Sequence, residues 1–246
     1  MTPGQLVSAV SIALDVPHET VVVHDRNLSV AGLRTKGARG RNAPAVTPLD
    51  AARLVIAILG SARVVDSVET VRAFERVTFV ETIFTGTQVL AGEKEEYERE
   101  KSSILAVMGL QPEHNFIDGL AGLISGAAAP LENRELLLQK FAQWKIECQV
   151  PGRSFIGPLR YERMMSPAEE REFIVSLKNY TTGDEYYKNY YRFYFGIRQT
   201  RTVHGPAIVL LGHAFRENGL PFKTTADAVA DLLQVAKMRS SQKERG

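Results

Sequence analysis

Asp15-Val16-Pro17 does most to restrict the fold of this 246-residue chain. A proline has no backbone N–H to donate, and here it interrupts two stretches that both carry helical periodicity. Before the break, Thr2 is a capping residue and Pro3 occupies the first helical position, where a missing N–H costs nothing. Leu6, Val7, Val10, Ala13 and Leu14 then share one helical face. After the break a second helix starts at His18 or Glu19, with Val21, Val22, Leu28 and Ala31 as expected buried positions, and stops at Gly32. Two helices joined by a three-residue turn are the signature of a helix-turn-helix.

The segment that follows contains Arg34, Lys36, Arg39 and Arg41, two glycines and no acid, so it cannot be core. Thr47-Pro48-Leu49-Asp50 restarts a helix in the cap-then-proline manner, and Leu49, Ala52, Leu54, Val55, Ile58 and Leu59 give it an apolar face. A glycine-bearing basic loop between a second and a third helix has the layout of a wing. In such modules the second helix enters the major groove and its exposed residues meet base edges. The expected exposed positions are His18, Glu19, Thr20, His24, Arg26 and Asn27. Thr20, His24, Arg26 and Asn27 are the candidate readers, since Arg pairs bidentately with guanine and Asn with adenine. Asp25 would repel phosphate and is expected to pair with Arg26 or to cap. Arg34, Lys36, Arg39 and Arg41 are the candidate phosphate or minor-groove contacts.

The order helix, turn, helix, Ala31-Gly32-Leu33, basic wing and Thr47-Pro48-Leu49-Asp50-Ala51-Ala52-Arg53-Leu54 resembles the N-terminal layout of MerR-type regulators, over residues 5 to about 59. The family's aromatic before the Gly-Leu pair and the tyrosine of its wing are missing here. More loosely, the whole chain resembles regulators of alphaproteobacterial prophages and gene transfer agents. The resemblance implies binding to double-stranded DNA and transcription regulation.

Charge is unevenly spread beneath a net of +2: residues 1–65 carry a net +3, residues 66–113 a net −5 and the remainder a net +4. Periodicity predicts helices from Asp66 onward, with Val68, Val71, Phe74 and Val77 in step, and over residues 92–109, 116–129 and 131–144. Residues 145–150 alternate, Pro151-Gly152 turns, and residues 155–161 extend back as a hairpin. A helix follows from Ser166 to about Leu177, residues 186–203 read as β, residues 205–212 are ambiguous, and residues 225–237 are amphipathic. The aromatic and cationic interleaving of residues 186–201 suits a sheet with one buried aromatic face better than a platform for single-stranded nucleic acid.

Five histidines, at 18, 24, 114, 204 and 213, show no metal-ligand spacing, and the single cysteine, Cys148, permits no intramolecular disulfide. There is no phosphate loop, dinucleotide fingerprint or nucleophile elbow, so neither a cofactor nor an enzyme is expected. No apolar run approaches the ~20 residues of a membrane helix, and the N-terminus lacks a signal-peptide pattern, which points to the cytoplasm.

These features predict an α+β fold in which a winged helix-turn-helix (residues 1–62) precedes a larger mixed helical and antiparallel-sheet domain (residues 63–240) and a polar tail (residues 241–246). The expected function is a sequence-specific, DNA-binding transcriptional regulator of phage or mobile-element type. A homodimer is expected because paired half-sites add affinity, and contact with transcription machinery is a further expectation. A phage packaging or replication factor that recognises a DNA start site, and a module using the same helices for protein contact, stay open.

Overall fold

The computed structural model describes residues 1–35, 45–82, 106, 108–111, 113–128, 145–149, 153–156, 159–163 and 200–220. Helix α1 (Pro3–Leu14) begins in a capping box: Thr2 Oγ1 accepts from the Gln5 amide at 3.3 Å while Gln5 Oε1 accepts from the Thr2 amide at 2.7 Å. It ends where Asp15 turns left-handed, at φ 53°, and Pro17 opens helix α2 (His18–Val30). Helix α3 (Pro48–Gly60) starts in a second capping box, made by Thr47 and Asp50. A 3-10 turn (Val64–Asp66) leads into α4 (Ser67–Phe74), β1 (Val77–Thr82) and α5 (Phe116–Ala128). Strands β2 (Lys145–Gln149), β3 (Arg153–Ile156), β4 (Leu159–Arg163) and β5 (Thr200–His204) follow, the last running directly into α6 (Gly205–Arg216).

Helix α3 is the hub. Ala51, Ala52 and every residue from Leu54 to Ile58 are buried, because α2, α4 and α5 pack around it. A helix apolar on all sides has to lie inside, and this one does. One hydrophobic core runs from Leu6 and Val10 of α1 through Leu54, Phe74, Phe116 and Leu123 to Ile208 and Ala214 of α6, so residues on both sides of position 62 share it. The α5 and α6 backbones approach closely: a Cβ built on Gly212 would sit 2.5 Å from that of Ala127. That distance requires glycine.

The expected α+β class is corrected to a helix-dominated fold. Of the residues described in full, 67% are helical and 8% are strand. Backbone pairing runs antiparallel in the order β1-β4-β3-β2-β5, through short ladders such as Ile146 opposite Val203 and Phe79 opposite Tyr161. Ile146 and Cys148 of β2 and Val203 of β5 join the helical core. Two local expectations also change. Val77 opens a strand where a helix was expected, and the ambiguous residues 205–212 belong to α6, with Pro206 in its first turn. The helix expected over residues 116–129 is α5, closing at Ala128. The helices expected over 92–109, 131–144, 166–177 and 225–237 and the tail from 241 lie outside the described residues, or almost entirely so, as do residues 186–199.

Candidate nucleic-acid interface

Helix α2 and the chain that leaves it were expected to carry the DNA contacts. The helix has two opposed faces. Val21, His24, Asp25 and Leu28 recur at i, i+3, i+4 and i+7 and are buried. His24 is only 4% exposed, with Nδ1 2.8 Å from Ser67 Oγ at the start of α4. Asn27 is half-buried, and its Nδ2 donates to the Val64 carbonyl at 2.9 Å. His24 therefore points into the protein rather than toward a groove, a correction whose reason is the helical period: at i+3 from Val21 and four before Leu28, it must share their face. Thr20 is half-buried and Arg26 is exposed. Val22, expected inside, is instead 42% exposed.

Past Val30 the chain reverses at Gly32, whose φ of 74° suits a residue without a Cβ, and the Leu33 amide donates back to the Leu28 carbonyl at 2.9 Å. The next two residues are tied down on every side. Arg34 Nε lies 2.8 Å from Asp25 Oδ1, Nη2 donates to Ser29 Oγ at 3.0 Å, and Nη1 donates to the Thr35 carbonyl at 3.0 Å. Asp25 thus pairs with Arg34 rather than with Arg26. Burial pushes the Asp25 carboxyl above its ordinary value, Arg34 pulls it back, and nearby Asp50 adds to the rise. Arg53 of α3 donates to the Leu33 carbonyl at 3.1 Å and to Glu75 Oε1 at 3.0 Å.

Asp50 bonds to Thr35 and Thr47 at once. Its Oδ1 accepts from the Thr35 amide at 2.7 Å, while Oδ2 accepts from the Thr47 amide at 2.7 Å and the Thr47 hydroxyl at 2.9 Å. One buried carboxylate therefore holds both ends of the segment between residues 35 and 47. Burial alone would raise its pKa, but the hydrogen bonds from Thr47 and Thr35 outweigh burial and hold it below the ordinary value. Lys36, Arg39 and Arg41 lie outside the described residues, in the acid-free span 36–44 that this clasp brackets. Asp50 and Arg53 were legible only as a helix start. Their role across 15 and 20 residues of sequence emerges from the packing of α3 against the end of α2.

Open grooves lie beside the helical body among the described residues. One, of about 930 Å³, lies between α1 and the end of α6 and is lined by Ser8, Ser11, His18, His213 and Glu217 among others. Another, of about 530 Å³, lies beside α5 and includes His114, whose burial lowers its pKa and whose ring stacks on Phe79 at 4.9 Å. Among the described residues no three His, Cys, Asp or Glu side chains are placed to hold a metal ion. Cys148 is buried in β2, and burial pushes its thiol up to about 12, which keeps it protonated and non-nucleophilic. Among the described residues no helix is long and apolar enough to cross a membrane. No protein-family model, curated protein or solved structure matches the chain.

Proposed function

We propose that the protein is a cytoplasmic DNA-binding regulator of transcription that grips the phosphate backbone of double-stranded DNA through its basic loop rather than through α2. The observation that carries this reading is the Asp50 clasp: one carboxylate anchors both ends of a span whose charged residues are all cations. Holding the ends of a cationic loop lowers the ordering cost of binding, since fewer backbone torsions remain to be fixed on contact. Arg34 is spent inside the protein on Asp25, which leaves Lys36, Arg39 and Arg41 for phosphate.

Three such contacts give log affinity a slope of about −2.7 against log salt, at ~0.9 for each neutralised phosphate. Arg39→Ala with Arg41→Ala should cut that slope by about 1.8 and weaken binding similarly on all sequences. The experiment is selection from a random DNA library with the full chain at two salt concentrations, followed by titration of the double variant. Affinity indifferent to both salt and the double substitution would refute the reading. A second reading, contact with protein, is favoured by the exposed valines of α2, and that same indifference would support it.

A further inference from the structure

Among the described residues the exposed large hydrophobic side chains are Val22, Val23, Val30 and Val65, at 42%, 44%, 75% and 72% exposure. Three belong to α2. The fourth sits in the 3-10 turn whose Val64 carbonyl accepts from Asn27 of α2. Scattered single valines on a surface need no explanation, whereas three on one face of a single helix do. On α2 the exposed residues of this face are Glu19, Val22, Val23, Arg26 and Val30, which lie within about 100° of arc at 3.6 residues per turn. Glu19 and Arg26 lie near the middle of this arc, with Val22 to one side and Val23 and Val30 to the other.

The charges choose the partner. Glu19 and Arg26 are equidistant from the midpoint between Val22 and Val23, one on either side. A two-fold axis through that midpoint, with two α2 helices antiparallel, sets Glu19 against the partner's Arg26 and Arg26 against the partner's Glu19. The same operation packs Val22 on the partner's Val23, and carries Val30 over the N-terminal end of the partner's helix. Isologous pairing of this kind requires a patch complementary to itself, and opposite charges symmetric about an apolar centre meet that condition. Neither Glu19 nor Arg26 has an ion-pair partner among the described residues, so pairing costs no existing contact.

We propose that this face of α2 is the interface with a second copy of the chain, an antiparallel helix pair centred on Val22 and Val23 and locked by two reciprocal Glu19–Arg26 ion pairs. The proposal goes beyond the DNA reading and stands independently of it. The two Arg34 residues, just past the C-terminal ends of the helices, would lie at opposite ends of the pair.

Sedimentation velocity on the full chain, without DNA and over a concentration series, tests it. The wild type should show a monomer–dimer equilibrium. Glu19→Arg and Arg26→Glu should each weaken the dimer about tenfold by opposing like charges twice over, and the combined swap should restore it. Val23→Asp should leave monomer only, with an unchanged far-ultraviolet circular dichroism spectrum. A wild type that stays monomeric throughout overturns the proposal. So does a dimer indifferent to Val23→Asp, or a combined swap that rescues nothing, since the valines would then serve another occupant. Should Val23→Asp fail to fold, the charge swap alone decides.

Discussion

Replacing Asp50 by alanine should destabilise the protein by about 3 kcal/mol. The carboxylate takes three hydrogen bonds, from the Thr35 amide, the Thr47 amide and the Thr47 hydroxyl, all at 2.7 to 2.9 Å. A hydrogen bond to a charged group contributes about 1.5–3 kcal/mol net. Thr47 is exposed, so water replaces its two lost bonds in part, and the loss there falls to the ~1 kcal/mol of an ordinary helix cap. Thr35 is half-buried, and its amide loses a partner in a tighter setting, at the full ~2 kcal/mol. For a chain of this size ~3 kcal/mol lowers Tm by about 6–12 °C. Asp50→Asn keeps one acceptor oxygen and should lose about half as much.

The pH dependence has a definite sign. The folded carboxyl titrates below its ordinary value of 3.8, so its contribution is complete above that value and fades as pH falls through the folded pKa. Thermal denaturation followed by circular dichroism should therefore show a wide gap between wild type and Asp50→Asn at pH 7. The gap should narrow well below pH 3.8, where the native carboxyl takes up its proton. An alanine variant within about 2 °C of wild type at pH 7 would refute the clasp, because that shift corresponds to under ~1 kcal/mol.

Gly212→Ala should cost about 1–3 kcal/mol in chemical denaturation, since the new methyl group would meet Ala127 Cβ at 2.5 Å and force α5 and α6 apart. His24→Ala should destabilise by about 2 kcal/mol by leaving a void and removing one of the two partners of the Ser67 hydroxyl, a loss measurable as a lower denaturation midpoint. Cys148 should resist a thiol reagent in the native state and react fully after unfolding, as the buried thiol titrates at about 12. Stability should also fall as pH rises past the ordinary thiol value of 9.0, because only the unfolded thiol ionises there.

What the sequence made legible follows the range of the interactions involved. Both capping boxes lie within three residues of chain, so the starts of α1 and α3 could be read directly from Thr2-Pro3 and Thr47-Pro48. The apolar stripe of α5 is equally local and was placed to within a residue at its end. The inner face of α2 was not, although its period was visible. His24 and Asp25 looked like surface residues because a buried histidine or carboxylate is costly unless paired. Their partners, Ser67 and Arg34, lie 43 and nine residues away, on elements brought close only by the packing of α3. Residues 205–212 stayed ambiguous for a similar reason: Gly205 and Pro206 open α6 directly after β5, a start that local periodicity alone does not reveal.

The same long-range bonds explain why α2 shows valines to solvent. Rotating the helix about its axis by roughly half a turn would bury Val22, Val23 and Val30, for a gain of about 1.5–3 kcal/mol for each side chain fully buried. That rotation would expose Val21 and Leu28, which are now fully or almost fully buried, and cancel much of the gain. It would also break the His24–Ser67 contact, the Asp25–Arg34 ion pair and the bond from Asn27 to Val64. Losing Asp25 and Ser29 would leave the Arg34 side chain without its ion pair and its hydroxyl acceptor. The orientation that keeps these contacts therefore leaves the valines outside, and a second copy on that face would cover them.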